Sequence, residues 1–127
     1  MNPEVTRDEI GYELEYNLFQ KVAELTGETP VVISADELED NPGGVVEAYC
    51  DALGIKYLPE SLSWEAGEKK EWEVWKEWHA DAARSSGIVK DIETFDFGLD
   101  DRPNLRGYYE YSLPFYEALY EKRVKLK

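Results

Sequence analysis

Apolar residues recur at helical spacing in several stretches of this chain and crowd into an unbroken run in one. Ile10, Leu14, Leu18, Val22 and Leu25 fall three or four residues apart, the repeat that lines one side of an α-helix. Tyr12, Tyr16, Phe19 and Ala23 widen that side, so the pattern predicts a helix with a broad buried face. Thr6-Arg7-Asp8-Glu9 has the spacing of a capping box at its start, and Gly27 follows the last periodic residue, where a left-handed glycine closes a helix. The helix should run from about Thr6 to Thr26. Leu18 is among the positions where an introduced charge should abolish folding.

The unbroken run is Val31-Val32-Ile33. A β-branched triplet without polar alternation suits a strand covered on both faces, and a short strand is expected over about Val31 to Ser34. No second run of this quality occurs in the 127 residues, so its natural neighbours are not evident within them. Ser34-Ala35-Asp36-Glu37 repeats the capping-box spacing and predicts one helical turn ending near Glu39. Asn41-Pro42 is a further start signal, since asparagine caps and proline at the first helical position has no amide to leave unpaired. Val45, Val46, Tyr49, Cys50 and Leu53 then make one face and Gly54 supplies the stop, giving a helix over about Pro42 to Leu53 with Val46 in the core.

Residues 55 to 68 carry Pro59, Gly67 and several apolar side chains, which reads as a loop that packs. A helix is expected from about Lys69 to Ser85, with Trp72, Trp75, His79 and Ala82 on one face and Trp78 to its side. A tryptophan stripe at this spacing reads as core, with stacking on a planar ligand or sugar as the alternative. Residues 88 to 111 read mostly as loop: Phe95, Phe97 and Leu99 alternate with acids, but Asp-Asp-Arg-Pro at 100 to 103 breaks the alternation. Ser112-Leu113-Pro114 then opens a last helix, Pro114 to about Lys125, with cations at its C-terminal end. These elements make a mainly helical, single domain over residues 1–127 with one short β-strand.

Composition narrows the chemistry. Asp and Glu number 28 against 14 Lys and Arg, a net charge of -14, which repels nucleic acid and anionic membrane surfaces. Neither is an expected partner. At 43% hydrophobic and 13% aromatic the chain is too apolar for disorder. One cysteine, Cys50, fits a reducing compartment and a buried position, and no apolar stretch approaches about 18 residues. A cytoplasmic location is expected.

Phosphate-binding patterns of the G-x-x-x-x-G-K-[ST] and G-x-G-x-x-G kinds do not occur. With a single histidine and no C-x-x-C or H-E-x-x-H, no metal site is expected. His79 reads as a boundary histidine beside its tryptophans; a triad drawn through it lacks a serine on a nucleophile elbow, and no catalytic residue is assigned. Arg84-Ser85-Ser86-Gly87 is the stretch best suited to an anion, joining a guanidinium, two hydroxyls and a glycine turn. The alternative there is an ordinary helix end with a favourable arginine and a glycine stop.

Several of these segments resemble a known family. Pro30-Val31-Val32-Ile33, Ala35-Asp36-Glu37-Leu38, Asn41-Pro42 and the helix running through Tyr49-Cys50 to Leu53-Gly54-Ile55 are similar to the part of sulfotransferase-like P-loop proteins where a strand leads through an acidic turn to a helix. Leu62 to Gly67, Trp72 to Ala83, Ser86-Gly87, and Leu113-Pro114-Phe115-Tyr116 with Leu119-Tyr120 resemble the C-terminal half of a bacterial and plant branch of that family. The resemblance implies a doubly wound α/β domain that takes 3'-phosphoadenylyl sulfate as sulfuryl donor when complete. In that family the phosphate loop, the catalytic base and the residues gripping the 3'-phosphate precede the matched segment. The chain alone is therefore expected to bind no cofactor of its own and to be inactive, with only Arg84, Ser85, Ser86 and Gly87 near a loop that closes over the nucleotide. A different class of reading is an acidic helical interaction module. Both expect an exposed apolar surface at the strand edge and first helix; a protein partner or a second copy covering it favours the module, aggregation or poor solubility the partial domain.

Overall fold

The computed structural model describes residues 5–90 and 98–126. In chain order the helices are α1 (Arg7–Ile10), α2 (Tyr12–Thr26), α3 (Ala35–Asp40), α4 (Pro42–Leu53), α5 (Ala80–Arg84) and α6 (Pro103–Glu121). Tighter 3-10 segments lie at Pro59–Leu62, Lys70–Trp78 and Leu99–Asp101. The chain divides into two compact units. The first joins residues up to 34 with 98–124, and the second contains 35–90 with 125–126.

In the first unit the capping box forms as its residue types dictate. The Thr6 amide donates to Glu9 Oε2 at 2.9 Å and the Glu9 amide to Thr6 Oγ1 at 3.3 Å. The single long helix expected from Thr6 is nevertheless two, because Gly11 takes the left-handed conformation at φ 83 and separates α1 from α2. Gly27, at φ 72, closes α2 by donating its amide to Ala23 O at 2.9 Å.

The aromatic side of α2 faces α6. Tyr12 meets Tyr116 edge to face at 5.7 Å and Tyr16 meets Phe115 at 5.8 Å. Tyr111 fastens the same pair of helices: its hydroxyl donates to Glu13 Oε2 at 2.6 Å, and the Arg7 guanidinium lies 3.9 Å from its ring centroid. On α6, Leu105, Ser112 and Leu119 are buried, one residue every seven, which keeps them on one side of the helix.

Four expectations fail here for physical reasons. The strand at Val31 to Ser34 reduces to one parallel bridge, Val32 with Arg123, carried by the Val124 amide donating to Val32 O at 2.8 Å. Among the described residues no strand forms, as a β-branched run without a paired neighbour cannot build a ladder. The last helix starts at Pro103 rather than Pro114. Pro103 supplies the first-turn proline that Pro114 was expected to supply, and Pro114 sits inside the helix. Residues 103 to 111 are thus helix, not loop, whereas Phe95 and Phe97 lie outside the described residues. The leucine side of α2 is not core: Leu18 is 63% exposed and Leu25 73%.

The second unit is built around α4. Asn41 caps it, accepting from the Gly44 amide at 3.1 Å, with Pro42 in the first turn. A side chain at Gly44 would place its Cβ 2.4 Å from Asn41 Nδ2, so a larger residue there would displace the capping amide. Val45, Ala48 and Cys50 are buried; Val46 is only half-buried, so the deepest position is its neighbour. Gly54, at φ 68, ends the helix as expected. Lys90 Nζ meets Asp40 Oδ1 at 2.7 Å, tying the end of α3 to the far end of the unit; this hydrogen bond, and then the carboxylate's charge, hold the lysine above its usual pKa.

The expected helix from Lys69 to Ser85 is replaced by the 3-10 segment Lys70–Trp78 and the short α5. Lys69 makes no side-chain cap, and Trp75 has non-helical angles, φ -116 and ψ 28. Three tryptophans and the β-branched Val74 within seven residues lose side-chain freedom in a helix, and no capping group offsets that. The stripe is not core either: Trp75 is 61% exposed and Trp78 79%.

Candidate functional site

The Arg84–Gly87 stretch leaves the end of α5 in extended conformation, with Ser85 at φ -75, ψ 152. It runs antiparallel to residues 63 and 64. Gly87 bridges Ser63, and the Trp64 amide donates to Ser86 O at 2.9 Å. The Trp64 indole Nε1 donates to Ser85 Oγ at 3.1 Å, while Ser85 Oγ donates to Ala82 O at 2.7 Å. A hydroxyl has one proton to give, so Ser85 has none left for an anion. A side chain on Gly87 would come 3.2 Å from Leu62 O; this glycine serves close approach of two strands of backbone, not a left-handed anion nest.

Arg84 pairs with Asp81 one turn earlier on α5. Both side chains are largely exposed, at 72% and 84%, and a pair of that kind is worth only about 0–1 kcal/mol. Arg84 can therefore turn to another anion at little cost, although Asp81 stays beside it as a like charge to that anion. Arg84 to Gly87 lie together, but only the guanidinium and the Ser86 hydroxyl face outward chemistry. An exposed guanidinium beside a carboxylate and one exposed hydroxyl differ from the converging amides of a helix N-terminus that commonly hold phosphates. The Arg84–Asp81 pair was legible as an i, i+3 spacing; the Trp64 bonds were not, since they join residues 21 apart.

A second concave place, an open groove of about 930 Å³, is formed by the 3-10 segment and the start of α5. Trp72, Trp75, Trp78 and His79 line it, with Lys69, Lys70 and Lys76 interleaved with glutamates. Trp72 and His79 rings lie 5.0 Å apart at 34°, so the shared face read from the sequence exists, but as a wall of a groove. Lys76 is engaged by Glu68 at 3.4 Å. Among the described residues no cluster of His, Cys, Asp or Glu could hold a metal ion. No helix among them is long and apolar enough to cross a membrane.

Against known families, the sulfotransferase domain model matches residues 2–123 of this chain. The chain belongs to the sulfotransferase-domain family. Two curated relatives of this family member come from Arabidopsis thaliana: branched-chain-amino-acid aminotransferase-like protein 2, 38% identical over 52 residues, and protein 1 of the same description, 40% identical over 52. Each match covers 41% of this chain and 9% of the relative. The sulfotransferase-family chain thus corresponds to about a tenth of the length of these relatives. No solved structure matches it.

Proposed function

We propose that these residues are the C-terminal portion of a P-loop sulfotransferase-like domain of the bacterial and plant branch, and that they transfer no sulfuryl group by themselves. In the complete domain 3'-phosphoadenylyl sulfate is the donor, and the cytoplasm, where a lone buried thiol such as Cys50 stays reduced, is the compartment. The observation that carries the reading is the family match across residues 2–123.

Three features support inactivity of the chain alone. Its 127 residues contain no phosphate-loop pattern. Its charge of -14 opposes the approach of a polyanionic nucleotide. The one candidate contact, Arg84 to Gly87, offers an arginine already beside Asp81 and a serine whose proton is committed to Ala82. Aminotransferase chemistry is not carried over from the two plant proteins, because the likeness reaches only 9% of either. The direct test supplies the isolated chain with 3'-phosphoadenylyl sulfate labelled on sulfur and a phenolic acceptor. Label in the acceptor no greater than without protein is the expected result, and turnover would overturn the proposal.

A further inference from the structure

We propose that the tryptophan groove of the second unit binds an uncharged oligosaccharide whose sugar rings expose an unbroken face of C–H bonds. The inference does not rest on the sulfotransferase reading.

The groove lies where the expected α-helix gives way to the 3-10 segment Lys70–Trp78. Side chains three residues apart eclipse in a 3-10 helix, so its winding gathers Trp72, Trp75 and Trp78 instead of fanning them round an α-helical barrel. A kink at Trp75 interrupts the segment, and all three tryptophans line one hollow of about 930 Å³. Trp75 and Trp78 are largely exposed, so they add little to the core of this unit. Indoles are the largest apolar side chains, and several of them open to water in one concave place mark a binding site.

The rest of the lining selects the ligand. Three lysines and three glutamates make up six of its thirteen residues, so their charges cancel in a chain of net charge -14. A balanced wall draws in neither a polyanion nor a cation, and the lysines oppose a cation seated on an indole face. A protein face covering the groove would have to strip water from six charges, and charged groups are depleted at the centres of such interfaces. The Trp72 and His79 rings already stack on each other, 5.0 Å apart, which leaves no slot between them for a flat aromatic guest. A sugar meets what remains. Its C–H face packs on a single indole, and the hydroxyls round its rim donate to glutamate and accept from lysine. Lys76 is held by Glu68, whereas Lys69, Lys70, Glu73 and Glu77 form no ion pair with another described residue. They are the hydrogen-bonding groups available to those hydroxyls. A groove with two exposed indoles suits a chain of sugar rings better than one ring.

The probe is cellopentaose, an uncharged β-linked glucose oligomer whose equatorial hydroxyls leave C–H bonds on both ring faces. Adenosine, a flat aromatic, and an oligomer of galacturonic acid, an anion, are titrated beside it. Nuclear magnetic resonance of the full chain labelled with nitrogen-15 follows the four tryptophan indole N–H signals. Those of Trp75 and Trp78 should move as cellopentaose is raised to about 10 mM, past the millimolar range of weak affinities. The Trp64 signal should stay, since that indole is outside the groove and donates to Ser85 Oγ. Trp75→Ala/Trp78→Ala should weaken binding, read from Trp72, by at least about tenfold, and Trp75→Tyr/Trp78→Tyr should recover part of the loss. An unchanged Trp64 signal in each variant reports an intact unit. No movement at the highest concentration overturns the proposal, as does equal binding by wild type and the alanine pair. A tighter response to adenosine or to the galacturonic acid oligomer overturns it by pointing to a flat ring or an anion. Sedimentation showing self-association that the alanine pair abolishes would make the groove a protein contact, and unfolding of both paired variants would make the tryptophans structural; either result contradicts the proposal.

Discussion

Val45 is 1% exposed and Leu18 63%, although both are branched aliphatics at helical spacing. The difference decides which substitution matters. Val45→Asp places an unpaired charge where no solvent reaches it and should abolish the cooperative thermal transition. Leu18→Asp should shift stability by no more than about 0.5 kcal/mol, the range of ordinary surface changes. Melts followed by circular dichroism check the contrast, and equal damage from both would put Leu18 back in the core. Periodicity identifies apolar faces but not which of two faces on α2 finds a partner. Rings on α6, a helix only partly recognised from the sequence, won the contact, and the leucines were left outside.

Tyr111 makes a titratable contact at the same scale. Its hydrogen bond to Glu13, then its partial desolvation, raise the phenol above the usual value near 10. A raised folded-state pKa means that the folded form holds the proton longer than the unfolded form. The stabilisation is complete below the unfolded value and is lost as pH rises through the folded value. The stability of wild type should therefore fall on the alkaline side more steeply than that of Tyr111→Phe. Denaturant titrations between pH 8 and about pH 11 compare the slopes, and parallel curves would show the phenol to be unengaged in solution.

Among the elements, helix ends were the most legible part of the chain. Thr6, Gly27, Asn41, Pro42 and Gly54 act where their local chemistry places them, because a cap depends only on residues within one turn. Asn41→Ala removes the acceptor at 3.1 Å from the Gly44 amide and should cost about 1 kcal/mol, read as a lowered midpoint in urea with unchanged slope; no shift would mean another group caps α4. Elements that depend on distant or competing contacts were misread. Val31-Val32-Ile33 had strand composition but only one bridge to Arg123. Pro114 looked like a start because proline favours the first turn, yet the helix had already begun at Pro103 and continues through Pro114. The tryptophan segment kept helical periodicity and lost the helix.

For the molecule as a whole, family membership was legible because it rests on the order of short segments, which survives errors in individual elements. Strand, tryptophan core and last-helix boundaries were each revised, while the family match spans residues 2–123. The candidate anion site was legible as a set of residue types at Arg84 to Gly87, but not as geometry. Asp81 beside the guanidinium and Ala82 O on the Ser85 hydroxyl show why such a set differs from a phosphate cradle.

The central claim is that these residues, although of sulfotransferase family, do not hold the nucleotide by themselves. Calorimetric titration of the isolated chain with 3'-phosphoadenosine 5'-phosphate, beside the same titration of Arg84→Ala, tests it most directly. One arginine–phosphate contact supplies about 1.5–3 kcal/mol, which unaided does not reach millimolar affinity, about 4 kcal/mol. The expected isotherm for wild type is therefore flat or unsaturated at millimolar ligand, and Arg84→Ala removes whatever heat remains. Saturable micromolar binding, about 8 kcal/mol, that survives Arg84→Ala would reveal a nucleotide site elsewhere in the chain and contradict the claim.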